Sequence, residues 1–451
     1  MNLRLAAKIG WIGALLIVLL IPLALLDDLV RERQQRSEEV AAEISASSGG
    51  AQRLVGPLLL VDQTRRIEKL ETVNEQGTLK QVTRTERVHE QRVVLPRRVQ
   101  AEIDQATQRR ARGPFEALLF RGEHHLRAGF DAVAVEGEDV TIDSVRLLMA
   151  VGDARGIRAV SAKLDAQSLA LQPGTTLVWN RDGVHAELAV ADVQQSFEVA
   201  IDLDLAGAGA WYWVPAAGET EVRLRSDWPH PSFQGGFLPD APEIGESGFA
   251  AGWTISRFAG AGSDALRACL ARQEHCAALG QSFGFRLVEP VDRYLMTDRA
   301  LKYALLFLGL VFGAVFFIEI SSVLRVHPMQ YTMVGLALAI FYLLLLALAE
   351  HIGFAPAYLI AATACCALVV AYLAPALQTR TRQATLAGLL VLLYALLYGI
   401  LRSEDLALLL GSIVLFALLA AVMLATRRLD WSKVGLPRSE PGTEPLARGA
   451  S

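Results

Sequence analysis

The chain has 451 residues, 53% apolar and 20% charged, with a net charge of −4 and a mean hydropathy of +0.34. It is longer than a usual single domain and rich in both apolar and charged residues, which calls for a soluble part joined to a membrane part. The small negative charge, with no run of Lys or Arg, excludes the footprint of a nucleic-acid-binding protein.

Arg4 and Lys8 precede an apolar segment at 9–26. No small-residue cleavage signal follows it, and Asp27 and Asp28 open a polar, helix-favouring run. Within that run Glu32 and Arg36 stand four apart in the favourable order. This predicts a cytoplasmic N-terminus at 1–8 and an uncleaved transmembrane anchor at 9–26 whose helix continues past the bilayer.

Residues 27–302 are polar and read as a large β-rich extracytoplasmic (periplasmic) domain. Alternating or β-branched runs occur at 58–61, 92–95, 133–135, 140–142, 145–151, 175–178, 187–190, 197–203 and 221–224, separated by Gly, Asp and Pro. Short strands at such spacing predict a mainly antiparallel, sandwich-like sheet structure, decorated by a helix at 101–111 or 263–282. His124 and His125 on one strand would point to opposite faces, which is poor metal geometry. Cys269 and Cys276 are a possible disulfide in an exported domain. Seven residues of unbroken helix rise about 10.5 Å, beyond disulfide reach of about 7 Å, so the bond requires a helix break. Only His275 lies near them, and no metal site is expected.

The segment 226–255 is the most unusual. Pro229 and Pro231 hold Trp228 and His230 out of helix and predict an extended or turning loop. Trp228, His230, Phe233, Phe237 and Trp253 are candidate binding residues. The more economical reading is a loop pinned to the sheets by its own aromatics.

From 303 to 425 the chain is almost wholly apolar and divides into five segments, 303–323, 332–349, 357–377, 384–401 and 406–425, each near the roughly 20 residues a helix needs to cross hydrocarbon. The fold class is therefore an α-helical membrane protein of six transmembrane helices, with the β domain inserted between the first two. Arg4, Lys8, Arg325, Arg380, Arg382, Arg427, Arg428 and Lys433 then fall on one side, which the positive-inside rule makes the cytoplasm. Both termini are expected there, with 426–451 a disordered cytoplasmic tail and 27–302 outside. Glu319 near the inner end of its span needs a partner or a task, and Arg325 is the expected partner. Glu350 and His351 are candidates at the outer end of theirs. Gly309 and Gly313, four apart, predict a close helix approach. Cys365 and Cys366 are expected to be buried packing residues.

Several stretches carry a resemblance: SDWPHPSFQGGFLP at 226–239, GFAAGWTIS at 248–256, PVDRYLMTDRALKY at 290–303, and the runs at 329–362 and 402–433. With Gly56-Pro57 in 52–60, the chain resembles the CreD family of inner membrane proteins over nearly its full length. It matches least at 63–108 and beyond 437. The resemblance implies a place in the regulon of the Cre two-component system and a link to envelope integrity and colicin tolerance. It brings no established biochemical activity.

No nucleophile elbow, His-Glu-x-x-His, phosphate loop or dinucleotide fingerprint occurs. No catalytic residue, cofactor or metal is expected. The leading expectation is a non-enzymatic inner membrane protein supporting envelope integrity and stress response. Its partners are the lipid bilayer and an envelope protein or ligand bound by the exported domain; nucleic acid is not among them, and the oligomeric state is not set. The alternative is a small-molecule or lipid transporter using Glu319, Glu350 and His351.

Overall fold

The computed structural model describes residues 3–75, 78–135, 137, 139–177, 180–259, 281–289, 293–322, 326–402, 409, 411–413, 416, 420 and 423. The chain divides into two compact units, one of Met1–Arg36 with Val291–Ser451, the other of Ser37–Pro290.

The second unit is built of strands: β1 (Gln52–Glu75), β2 (Thr78–Val94), β3 (Arg98–Arg112), β4 (Phe115–Phe130), β5 (Val140–Ala150), β6 (Ile157–Leu164), β7 (Gln167–Ser168), β8 (Gln172–Pro173), β9 (Gly183–Leu188), β10 (Phe197–Ala208), β11 (Ala210–Val214), β12 (Glu219–Ser226), β13 (Pro231–Gly235), β14 (Glu243–Gly245), β15 (Gly248–Ile255) and β16 (Phe283–Leu287). One sheet runs β13-β16-β11-β1-β5-β9-β8, with β2 also paired to β1; the other runs β14-β15-β12-β3-β4-β10-β6-β7. Pairing is antiparallel except for β1 with β11 and β3 with β12, so both sheets are mixed. The two sheets share one core. Val99, Ala101 and Ile103 of β3 and Val222 and Leu224 of β12 join Leu59, Val145, Trp211 and Phe285 of the other sheet in a single buried cluster.

Strand β1 shows why its apolar run is nearly continuous. Leu59 and Val61 face the shared core, while Leu58 and Leu60 enter a second cluster with Leu148, Val93 and Val214. Both faces are covered, so alternation is lost. Each such side chain contributes roughly 1.5–3 kcal/mol on burial.

The structure corrects four expectations here. Residues 101–111 lie in β3: their Gln, Arg and Ala favour helix, but inward Val99, Ala101 and Ile103 set a period of two, and pairing on both sides overrides propensity. The segment 226–255 contains three strands, β13, β14 and β15, in place of a loop. Residues 133–135 and the described part of 175–178 are not strands. The remaining helix candidate, 263–282, and with it Cys269 and Cys276, lie at positions outside the described residues save for its last two.

In the first unit α1 (Leu3–Ser47) runs unbroken for 45 residues, about 67 Å, and its last turns are counted with the sheets. The others are α2 (Arg293–Lys302), α3 (Ala304–Ser322), α4 (Pro328–Ile352), α5 (Phe354–Leu377) and α6 (Arg380–Arg402). Among the described residues four helices, α1, α4, α5 and α6, are long and apolar enough to cross a membrane. The pair α2 and α3, bent by 51°, would make a fifth if taken as one span. The segment 406–425 lies mostly outside the described residues, and 426–451 wholly so.

Local chemistry sets the helix boundaries. His327 caps α4 by accepting from the Met329 N–H, Gln330 reaches back to the His327 N–H, and Pro328 takes the first turn, where its missing donor costs nothing. Gly353, at φ +80°, separates α4 from α5. The helices meet through rings: Phe341 lies edge-on to Tyr358 and Tyr394, with centroids at 5.7 and 4.9 Å. The Tyr358 hydroxyl donates to the Tyr394 carbonyl at 2.7 Å. Cys365 is buried and Cys366 half-buried, both as free thiols.

Among the described residues the expected close approach at Gly309 and Gly313 is not found: a Cβ on either would meet nothing there within 4 Å. The crowded glycine is Gly335 of α4, whose Cβ would meet the side chains of Leu19 and Phe312.

Candidate functional site

The aromatic segment is mostly core. Trp228 is buried, and its indole N–H is shared between the carbonyls of His230 and Val288, both at 3.1 Å. The Arg109 guanidinium lies 5.6 Å from its ring centroid. Phe233 is edge-on to Phe249 at 5.6 Å and to Trp253 at 6.0 Å, and Trp253 is buried against Phe283 at 5.2 Å. Phe237 is half-buried against the same cluster, and only His230 is exposed. Pro229 and Pro231 keep the backbone extended, which delivers β13 onto β16. These aromatics pin sheet to sheet and leave little ring surface for a ligand.

His124 and His125 do point to opposite faces. The Trp211 indole donates to His124 Nε2 at 3.1 Å. An indole can only donate, so Nε2 must be bare and Nδ1 carries the proton, directed at the carbonyls of Gly122 and Leu203 at 3.0 and 3.2 Å. Burial pushes its pKa down to about 4. His125 is exposed and sits 2.7 Å from Asp202, whose hydrogen bond, with the nearby Glu123 and Asp104 charges, raises its pKa. Among the described residues no group of three or more His, Cys, Asp or Glu is placed to hold a metal.

Glu319 on α3 is buried, and its partners among the described residues come from its own unit. Lys8 of α1 donates to Oε1 and also to the Val326 carbonyl at 2.8 Å. The Val326 N–H donates to Oε1 at 3.1 Å, and the Tyr331 hydroxyl to Oε2 at 2.9 Å. The expected partner, Arg325, lies outside the described residues. Lys8 takes the role because α1 packs along the bundle, a neighbour that sequence distance hides. A void of about 10 Å³ beside Glu319 has room for one water at most.

Glu350, at the other end of α4, accepts from the Tyr294 hydroxyl at 3.2 Å and pairs with Arg33 at 4.0 Å. Arg293 donates to its carbonyl at 2.9 Å. His351 is exposed, its Nδ1 3.0 Å from the Ala347 carbonyl of its own helix. The structure thus assigns Glu319 and Glu350 to two separate polar clusters and leaves His351 outside both.

Sequence reasoning missed a groove of about 910 Å³ on the sheet unit. Its walls come from β3, β4, β12 and the β14–β15 hairpin, residues that meet only through strand register. The one available signal was the charge on alternate positions of β3, β4 and β12.

Two comparisons with known proteins agree. A family model described as "Inner membrane protein CreD" matches residues 4–432. The curated protein "Inner membrane protein CreD" of Escherichia coli (strain K12) is 36% identical over 444 residues, covering 96% of this chain and 94% of that protein.

Proposed function

This chain belongs to the CreD family of inner membrane proteins, and on that premise we propose a non-enzymatic role in cell-envelope integrity and stress response. In this reading the sheet unit lies in the periplasm and binds an envelope protein or ligand, while the helices anchor it and relay its state inward. The reading takes six spans: α1, the bent pair α2 and α3, α4, α5, α6 and the segment 406–425. Both termini are cytoplasmic, in keeping with the positive residues at 4, 8, 325, 380, 382, 427, 428 and 433.

The observation that carries the reading is the distribution of polar chemistry. In the helical unit Glu319 and Glu350 already have their partners, whereas the sheet unit carries an open groove. Deleting the sheet unit while keeping the spans should abolish protection of the envelope against detergent. Full protection from the spans alone would refute the role.

A second reading, a transporter or lipid handler, draws on one feature: Glu319 is a buried carboxylate beside a water-sized void. Solute flux in proteoliposomes that stops in Glu319→Gln and His351→Ala would favour it.

A further inference from the structure

Strand β1 outruns its sheet. Its pairing with β5 ends at Arg65 opposite Val140, and the Arg66 N–H donates to the Asp139 carbonyl at 2.9 Å. Beyond that point, among the described residues, β1 has only β2 beside it, as far as Glu75 opposite Thr78. Residues 67–75 and 78–86 thus form a two-stranded ribbon about 30 Å long. Gln81, Thr83, Arg84, Thr85, Glu86 and Arg87 are all exposed, and a lone two-stranded hairpin is marginally stable in water. Among the described residues no strand pairs with the outer edge of β2 anywhere along its 17 residues.

The charges along that edge have an order. Edge strands are commonly guarded by charge, and a guard of one sign would repel a second copy of the same strand. In β2 the signs instead complement each other under a two-fold axis. When a second β2 is set antiparallel about Thr85, Thr85 meets its counterpart, Arg84 meets Glu86 twice, and Thr83 meets Arg87 twice. In sequence the match runs on, with Val82 opposite Val88 and Lys80 opposite Glu90. Moving the axis by one residue either way sets Arg84 against Arg84 or Glu86 against Glu86, so one register is singled out.

A second observation asks for the same neighbour. Within the ribbon Lys69 of β1 stands directly opposite Arg84 of β2, a like-charge pair of the kind that destabilises a hairpin. Glu86 reaches Lys69 diagonally at 3.5 Å. In the two-fold arrangement Glu86 of the other copy adds a carboxylate beside Arg84, and one row across four strands reads Lys69, Arg84, Glu86, Ile67. Alternate residues of a strand share a face, so Arg84 and Glu86 meet on the same side of the joined sheet. The opposite edge of the ribbon, along β1, is open only from Ile67 onward, whereas β2 is open throughout.

We propose that the outer edge of β2 is a homodimer interface, in which two copies of the chain join antiparallel through residues 81–89 with the two-fold axis at Thr85. The two main chains close the ladder that each edge leaves open, and the paired Arg84 and Glu86 side chains, with the Thr85–Thr85 contact, fix the register. Two ribbons so joined make a four-stranded sheet, past the three strands that independent stability requires.

The test uses the full chain in detergent micelles, followed by sedimentation. The parent is expected to dimerise reversibly. Arg84→Glu and Glu86→Arg should each raise the dimer Kd at least tenfold, and both changes in one chain should restore the parent's value. An equimolar mixture of the two single variants should form a heterodimer, because each supplies the charge that the other has lost; energy transfer between differently labelled chains reads it. Thr85→Cys should crosslink to its counterpart on oxidation in membranes, the paired Cα atoms lying about 5.5 Å apart or less. Thr83→Cys, whose counterpart lies about 14 Å away along the strands, should not. The parent is the control for its own four cysteines. The double variant and the mixture separate a lost charge match from a lost fold. A parent that stays monomeric, or a dimer indifferent to both reversals, overturns the proposal and leaves β2 a guarded edge or a docking strand for a different protein. Loss of the dimer in the single variants with no rescue in the double variant or the mixture overturns it as well. So does crosslinking through Leu70→Cys in place of Thr85→Cys, which would put the contact on the β1 edge.

Discussion

Tyr331 and Glu350 share α4 and are separated by about 28 Å of helix, close to the roughly 30 Å thickness of a bilayer's hydrocarbon. Each marks a polar cluster, and α1 supplies a cation to both: Lys8 to Glu319 beside Tyr331, and Arg33 to Glu350. Helix α1 is therefore fastened to the bundle at two levels, with apolar packing between them, such as Leu19 against Gly335. Carboxylates placed at the two levels and paired there suit an anchor better than a conduction path.

The Lys8–Glu319 pair gives the first prediction. Both side chains are largely shielded, so removing one partner strands a charge, which costs about 3 kcal/mol. Lys8→Met should lower the stability of the detergent-solubilised protein by about that amount. Lys8→Met with Glu319→Gln should recover most of it, because the neutral amide oxygen still accepts from Tyr331. Thermal unfolding of the single and double variants measures the coupling, and simple additivity would remove the pair from any role in holding α1.

His124 predicts a pH dependence with a definite sign. Its folded pKa, about 4, lies below the ordinary 6.5, so the unfolded chain takes up the proton first. The stability it contributes is complete above pH 6.5 and is lost as pH falls through the folded value, about 3 kcal/mol in all. Protonation would also set a second N–H against the Trp211 indole donor. In His124→Gln, whose oxygen accepts without titrating, the fall in stability between pH 6.5 and 4 should be visibly shallower. Identical pH profiles for the two proteins would discount the histidine.

How much of this was legible in the sequence differs by element. The run from Leu58 to Val61 read as strand because two apolar faces leave no ambiguity, and the helices α4 to α6 contain the spans that hydropathy predicted. Strand β3 was misread because Gln100, Gln105 and Arg109 are helix formers, and only pairing with β4 and β12 outweighs them. Glu319 was recognised as needing a partner, but Lys8 stands 311 residues away in sequence. The groove was invisible because Glu123, Asp104 and Glu243 are neighbours through register alone.

Trp228 yields the third prediction, which separates pinning from ligand contact. Its N–H serves two carbonyls at once, so Trp228→Phe should cost about 1–2 kcal/mol, and Trp228→Ala, which also leaves a cavity, about 3–5 kcal/mol. Chemical denaturation followed by the remaining tryptophans measures both. A Trp228→Phe protein as stable as the parent would reopen the surface reading of this segment.

The last prediction contrasts Gly309 and Gly313, which the sequence singled out, with Gly335, which it did not. Gly309 and Gly313 have the spacing of a helix-crossing motif, but a methyl group at either meets nothing within 4 Å among the described residues, so Gly309→Ala and Gly313→Ala should be neutral or slightly stabilising through helix propensity. Gly335 has no such spacing, yet the Phe312 ring edge would lie 2.9 Å from its Cβ, and a Leu19 methyl is closer still. The Leu19 methyl ends a flexible side chain and can swing aside, which makes Gly335→Ala tolerable. A branched Val adds bulk that Phe312, itself 1% exposed and edge-on to Tyr331, has no room to avoid. Gly335→Val should therefore cost about 1–3 kcal/mol and loosen α1 from α3 and α4, seen as faster proteolysis of the N-terminal helix in detergent. If Gly313→Ala were instead the damaging change, α1 would have to pack on α3 through a different face.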